Sequence, residues 1–389
     1  MFNQNNRTDK LKVISQIVIA ISFVVGICVF IGIKSVQKSR INTSVTTETT
    51  AESVAENTEV TLAKTDLISR KDSLNLWSED AKAKNMLVEY VETVTRPDSP
   101  DFIPAQDRIA VFDMDGTILC ETDPYYFDFC ILKYRVLDDV SYKDKASAFE
   151  KDVATRIKKM FDGEKAEVSM EEHGKAVASA FSGMTIDELE NYIAEFKKQP
   201  CPGYNGMKRG EAFYKPMVQV IDYLQLNDFK VYIVSGTDRF LVRGIVKDSL
   251  DIPRTQIIGS DETLVASNQG KVNGLDYTFT DKDKLVLGGD FIIKNLKMNK
   301  VTVIMQEIGS QPVLSFGNST GDSAMAEYTT TNNKYKSLAF MLCCDDTVRE
   351  NGNAEKAKKM KDLCEEHGWV AISMKDDWST IYGDGVTRK

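Results

Sequence analysis

Histidine is nearly absent from this chain: only His173 and His367 occur among its 389 residues. Chemistries that need two or three imidazoles, such as hydrolysis at a histidine-bound zinc or phosphoryl transfer through histidine, are thereby nearly excluded. A Ser-His-Asp triad would have to use one of these two, and both read as surface residues of helices. Cysteine pairs with zinc or redox spacing are also lacking. Cys28, Cys120, Cys130, Cys201, Cys343, Cys344 and Cys364 read as ordinary buried thiols. Excess positive charge is missing too: the formal net charge is -9, which argues against a nucleic-acid partner.

The charge is unevenly spread. Residues 1–40 carry Arg7, Lys10, Lys12, Lys34, Lys38 and Arg40 against Asp9 alone, so a basic end precedes an acidic body. Between these charges, residues 13–33 form a 21-residue run without a charged side chain. At about 1.5 Å per residue, a helix of this length crosses a hydrocarbon core of about 30 Å. The run exceeds a typical signal-peptide core, and no small-x-small cleavage site follows it. The expectation is a short tail (1–12), an uncleaved single-pass anchor (13–33) and a catalytic bulk on the extracytoplasmic face of the membrane. Residues 41–65 are rich in Thr, Ser and Glu without Pro or aromatics, so 34–70 reads as a flexible linker.

The folded part begins near Leu74. Helical periodicity covers 78–95, followed by a short apolar strand ending at Phe112. A mostly helical stretch fills 127–196. Alternation then resumes: a helix over 217–226, a strand over 230–234 and a helix over 239–248. Further strands are expected at 256–259, 312–316, 337–342 and 370–373. This alternation predicts an α/β fold, a doubly wound, mainly parallel sheet. The catalytic core is expected over 71–120 and 205–389, interrupted by a helical cap over 121–204.

In such sheets ligands sit beyond the carboxyl ends of the strands, and three polar clusters fall there. The first is Asp113-Met114-Asp115-Gly116-Thr117. Of two carboxylates at i and i+2, one can attack phosphorus while the other moves a proton to and from the leaving group. A strand precedes this loop, unlike the helix that precedes a calcium-binding EF-hand loop. The second is Ser235-Gly236-Thr237, whose hydroxyl and backbone N–H groups can bind phosphate oxygens at a helix start. The third runs from Gly317-Asn318 to Asp322, where Asp322 can complete an oxygen shell for Mg2+ with Asp113. A lysine is needed to offset the negative charge; Lys300 is favoured, with Lys294 and Lys297 as rivals.

In this order the set Asp113-x-Asp115-Gly-Thr, Ser235-Gly-Thr, Lys300 and Asp322 resembles the four motifs of the haloacid dehalogenase superfamily. The flanking stretches RIAVFDMDGTILCE, VYIVSGTDRFLVRG and SFGNSTGDSAM resemble a branch near phosphoserine and phosphorylcholine phosphatases. The resemblance spans about residues 75–384 and implies a Rossmann-like core and a Mg2+-dependent phosphatase. It implies Asp113 as the nucleophile, Asp115 as the general acid and base, Ser235 and Lys300 as phosphate-site groups, and Asp113, Asp115, Asp322 and Asn318 around the metal. Many relatives have Gly-Asp where this chain has Gly317-Asn318, which lowers the charge around the metal by one.

For the substrate, Glu121 occupies the place of an amine-contacting glutamate in phosphoserine phosphatase-like relatives. Tyr125 and Tyr126 could hold a cation by ring contacts or simply pack under the cap. Arg239 could reach an anionic substrate. The leading expectation is hydrolysis of a small phosphorylated metabolite. The alternatives are transfer of the phosphoryl group to an acceptor, as in a mutase, and a silent binding domain displayed at the membrane.

Overall fold

The computed structural model describes residues 72–389. The expected membrane span 13–33, with the segments 1–12 and 34–70, lies outside the described residues. Among the described residues, no helix is long and apolar enough to cross a membrane.

The first helix, α1, spans Lys82–Thr95 and buries Leu87, Tyr90, Val91 and Val94. Strand β1 (Ile109–Phe112) follows, with all four residues buried. A strand covered on both faces must be apolar throughout, and this one is. The alternation assigns its sides. Ile109 and Val111 pack with Val303, Ile304 and Met325 on one face of the sheet, while Ala110 and Phe112 join the large cluster on the other.

Between β1 and the next sheet strand lie four helices: α2 (Phe127–Lys133), α3 (Ala148–Phe161), α4 (Met170–Phe181) and α5 (Ile186–Lys197). All four lie within the residues 121–204 expected to form a helical cap. Three of the helices start on reciprocal caps: Ser147 with Glu150, Ser169 with Glu172, and Thr185 with Glu188. Each cap satisfies two otherwise orphaned backbone N–H groups, so these helix starts are written locally in the sequence.

After a short β2 (Tyr204–Asn205) come α6 (Lys215–Leu226), β3 (Lys230–Asp238), α7 (Arg239–Val246), β4 (Ile257–Ala266) and β5 (Leu285–Ile293). The chain continues through α8 (Met298–Val303), β6 (Leu314–Gly317), α9 (Ser323–Thr330), β7 (Leu338–Cys343), α10 (Ala354–His367), β8 (Val370–Ser373) and β9 (Thr387–Arg388). The sheet order is β5-β4-β3-β1-β6-β7-β8. Within this sheet all pairs are parallel except β4 with β5, while β2 and β9 form a separate antiparallel pair. The expected α/β, mainly parallel core is therefore borne out and fits a Rossmann-like architecture.

Two differences matter for the site. Strand β3 runs on to Asp238, four residues beyond its expected end, through an irregular register between Val234 and Asp238. Strand β5 was not expected at all. Its central Gly288-Gly289, with Gly289 at φ +91°, weakens the strand signal, since glycine packs no side chain on a sheet. Pairing with β4 and packing against the insertion supply the stability: Gly174 of α4 sits so close to Phe291 of β5 that a Cβ would meet its ring at 2.5 Å.

Candidate active site

The strand order reverses at β1. From β1 the chain builds outward through β3 and β4, then returns to place β6 on its other side. The crevice between β1 and β6, at their carboxyl ends, is the switch point where ligands bind in such sheets. The register pairs Phe112 with Phe316, so Asp113 and Gly317 emerge side by side. The Asp113 amide still donates to the Phe316 carbonyl at 2.9 Å. The stacked rings of Phe112, Phe316 and Phe340 lie beneath.

Lys300 joins the two strand ends. Its Nζ donates to Asp113 Oδ1 at 2.6 Å and to Asp322 Oδ1 at 2.7 Å, and its side chain is fully buried. Burial opposes its charge, yet the two carboxylates outweigh it and raise its pKa. Lys297 stands at the head of α8 at φ +55°, its backbone N–H bonded to Gly321 O. Of the three lysines, Lys300 alone bridges the carboxylates. The other oxygen of Asp322 accepts from the Asn318 and Ser319 amides and the Ser319 hydroxyl, each at 3.1 Å, so Asp322 also shapes its own loop.

Asp115 accepts from Thr237 Oγ1 at 2.7 Å, while its Oδ1 is buried with no partner. Burial, then Asp128 and Asp113, hold its carboxyl well above the usual range. Burial and Asp322 likewise push Asp113 up to about 7 against the pull of Lys300. Gly116 makes the turn at φ +77°, and a Cβ there would meet Asn318 Nδ2 at 1.9 Å and the Glu121 carboxyl at 2.6 Å. Glycine is required on both counts.

Asp113, Asp115, Glu121, Tyr126, Gly236, Thr237, Asn318 and Asp322 all line one pocket of about 170 Å³. Burial, followed by the charge of Asp113, pushes Glu121 up to about 7, with Asn318 opposing. Besides the buried Lys300, three expected site residues stand outside the lining. Ser235 is fully buried and its hydroxyl accepts the Thr237 amide at 3.0 Å, so Thr237 and Gly236 form the pocket wall in its place. Arg239 is tied to Asp261 and Glu307, which hold it away from the pocket. Tyr125 packs against Tyr126, Phe129 and Phe161.

Several residues that sequence reasoning passed over complete the wall: Asp128, Phe129, Met170, Leu296, Ser319 and Gly321, together with Lys294. Asp128 carried little signal, since an acidic residue in the first turn of α2 is favoured by the helix dipole whatever else it does. The segment with Lys294 and Leu296 is placed by Asn295, whose amide N–H bonds Ser260 Oγ and whose Nδ2 donates to Ser235 O, each at 3.0 Å. His173 is fully buried, contrary to the expected surface position, and stacks on Phe129 at 3.9 Å. Burial pushes its pKa down to about 4.

The donor set suits a hard cation. Asp113, Asp322, the Asn318 side-chain carbonyl and the Asp115 backbone carbonyl offer only oxygen, as Mg2+ requires. The pocket carries five carboxylates (Asp113, Asp115, Glu121, Asp128 and Asp322) against Lys294 and the bridging Lys300, a buried negative excess that a cation would offset. Among the described residues no group of three His, Cys, Asp or Glu side chains is disposed around a metal, so a site here depends on neutral oxygens as well.

The family model of the haloacid dehalogenase-like hydrolases matches residues 110–327. The chain belongs to this family. It is a hydrolase whose three polar clusters and Lys300 come together at the switch point. Among solved structures, this hydrolase is similar to a conserved protein of unknown function from Anaerococcus prevotii, with 15% identity over 74% of this chain and 90% of that one and a TM-score of 0.46. It is similar to cytosolic 5'-nucleotidase IIIB bound to cytidine, with 13% identity over 77% and 87% of the two chains and a TM-score of 0.45. A phosphoserine phosphohydrolase-like protein from Francisella tularensis shares 13% identity over 65% and 92%, with a TM-score of 0.34. No curated protein sequence matches the chain.

Proposed function

We propose that this hydrolase is a Mg2+-dependent phosphomonoesterase that cleaves a small phosphorylated metabolite through an aspartyl-phosphate on Asp113. The observation that carries the reading is the pairing of differently held carboxylates two residues apart. Asp113 is bound to an ammonium, whereas Asp115 has one oxygen on a hydroxyl and the other free. The Lys300 contact favours ionised Asp113, the form that attacks phosphorus. Asp115, held above the usual carboxylate range, keeps a proton to give to the leaving alcohol. Once the alcohol leaves, Asp115 is the base that takes a proton from water as it opens the acyl-phosphate. Lys300 and the Gly236 and Thr237 edge would neutralise and orient phosphoryl oxygens. Mg2+ held by Asp113, Asp322, Asn318 and the Asp115 carbonyl would supply positive charge to the transferring group. A pocket of about 170 Å³ lies below the size usual for drug-sized ligands, which favours a small leaving group.

The test is a panel of small phosphate monoesters with the full-length chain and Mg2+, reading free phosphate, with quenched samples examined for label on Asp113. Phosphate release with transient labelling is expected. Release without labelled Asp113, or a phosphorylated acceptor in place of free phosphate, would overturn the mechanism. Separately, we infer from the uncharged run 13–33 that the enzyme is anchored in a membrane with its catalytic part on the extracytoplasmic face. Extraction of the bulk of the chain from membranes by alkaline carbonate would defeat the anchor, and protection of the catalytic part from protease in sealed cells would defeat the orientation.

A further inference from the structure

The pocket wall contains an ammonium group, that of Lys294, which the proposed chemistry leaves unused. Lys294 follows β5 and lines the pocket, and its side chain is 13% exposed. Its contacts are loose: 3.4 Å from Nζ to His173 Nδ1 and 3.7 Å to Asp128 Oδ2. Lys300, by comparison, holds its two carboxylates at 2.6 and 2.7 Å. An ammonium has three donors, and those of Lys294 are incompletely used. Asp128, only 3% exposed, has its Oδ1 buried without a partner. A charge-bearing pair with spare donor and acceptor capacity, set in a cavity, is costly unless a ligand completes it.

We infer that Lys294 is a specificity residue that reads an anionic group, a carboxylate or a second phosphate, on the alcohol portion of the substrate. The inference rests on the phosphomonoesterase reading and names the substrate class it would take. The surroundings select for this position. Among the described residues that line the pocket Lys294 is the one cation, so an anionic substituent on the leaving group finds its attraction there. His173 acts as a positioning residue. Its ring is fixed by stacking on Phe129, and Nδ1 is available to accept from the lysine without adding a competing charge. The cap supplies Asp128 and His173 and the core supplies Lys294, so the reading site is completed where the two meet.

The experiment compares the full-length chain with Lys294→Met and Lys294→Arg on phosphoglycolate, propanediol bisphosphate and propyl phosphate, with Mg2+ throughout. The wild type is expected to prefer at least one anionic ester over propyl phosphate. Lys294→Met is expected to reduce that preference, as a ratio of kcat/KM values, by at least about tenfold, the loss appropriate to one charged hydrogen bond. Lys294→Arg is expected to retain part of it. Which ester carries the preference tells a carboxylate from a second phosphate. His173→Leu should raise KM for the preferred ester with kcat nearly kept, and His173→Gln, which keeps an acceptor, should restore it. Calorimetric binding of glycolate and of propanol to the same proteins gives a readout independent of turnover. Hydrolysis with no anionic preference, or a ratio unmoved by Lys294→Met, overturns the inference while the phosphomonoesterase reading stands. Glycolate binding that is lost in Lys294→Met, with no ester hydrolysed, overturns the phosphomonoesterase reading and keeps the anion site. Absence of both hydrolysis and glycolate binding overturns both.

Discussion

The two walls of the pocket are built on opposite principles. On the core side, each carboxylate leaves a buried strand end and is bound within the wall: Asp113 and Asp322 to Lys300, Asp115 to Thr237. On the opposite side, Asp128 of the cap faces Lys294 of the core at 3.7 Å, and Tyr126, Phe129 and Met170 of the cap offer apolar surface. A wall that is already internally bonded cannot adapt without loss, which suits chemistry that is the same for every ester. A wall with spare hydrogen-bonding capacity and apolar surface suits recognition, where the leaving group supplies the missing partner. The comparison teaches that specificity should reside in the helical insertion and the Lys294 segment, and rate in the strand ends.

The sharpest way to break the comparison is to change the core wall. Asp113→Asn should lower kcat by at least about ten-thousand-fold for every ester tested, with the melting temperature retained. Asp115→Asn should cost roughly a hundred- to ten-thousand-fold, again irrespective of the ester. Substantial phosphate release from a clean preparation of either variant would remove that residue from its role.

A smaller effect is expected at the metal. Asp322→Ala should raise the Mg2+ concentration needed for half-maximal activity by roughly tenfold or more and also lower stability by about 1–3 kcal/mol, because the Asn318 and Ser319 amides lose their acceptor. Asn318→Asp should lower the Mg2+ requirement or leave it unchanged. Metal titrations read against thermal melts separate the two effects. An unaltered metal dependence in Asp322→Ala would mean that another carboxylate is the ligand.

On the cap wall, Tyr126→Ala and Glu121→Gln should reduce kcat/KM for the best ester of a panel by roughly tenfold more than for a generic aryl phosphate. An equal fall would show that the two walls do not divide rate from specificity.

The smallest effect concerns a carboxyl behind the pocket. Burial, with Asp238 and Asp261 nearby, pushes Glu262 from an ordinary 4.5 up to about 9. The folded state therefore holds a proton that the unfolded chain releases. The contribution to stability is complete below pH 4.5 and is lost as pH rises through about 9. Glu262→Gln removes this dependence, so its melting temperature should exceed that of the wild type by a few degrees (about 2–4 °C) at pH 9 and by less at pH 6. Parallel melting curves at the two pH values would show that Glu262 is not the group responsible.

Much of the core is local information. The apolar Ile109–Phe112 run needs both faces covered, the Asp113-Met114-Asp115-Gly116 turn needs its glycine, and Ser or Thr three residues before Glu starts three of the insertion helices. These are interactions between near neighbours in the chain, so the residues themselves determine them. The alternation of strand and helix likewise makes a mainly parallel sheet the economical arrangement, and with it the placing of the polar clusters at one edge. Tertiary structure decided what depends on distant partners. Strand β5, with its paired glycines, exists because β4 and α4 hold it. Lys300 stands apart from Lys294 and Lys297 only because β6 brings Asp322 beside Asp113. Arg239 was lost to Asp261 and Glu307, and Ser235 to the Thr237 amide. His173 and Asp128 met Lys294 only when the insertion folded back onto the core. A charge acquires its role from the groups within a few ångströms of it, and for these residues those groups lie far away along the chain.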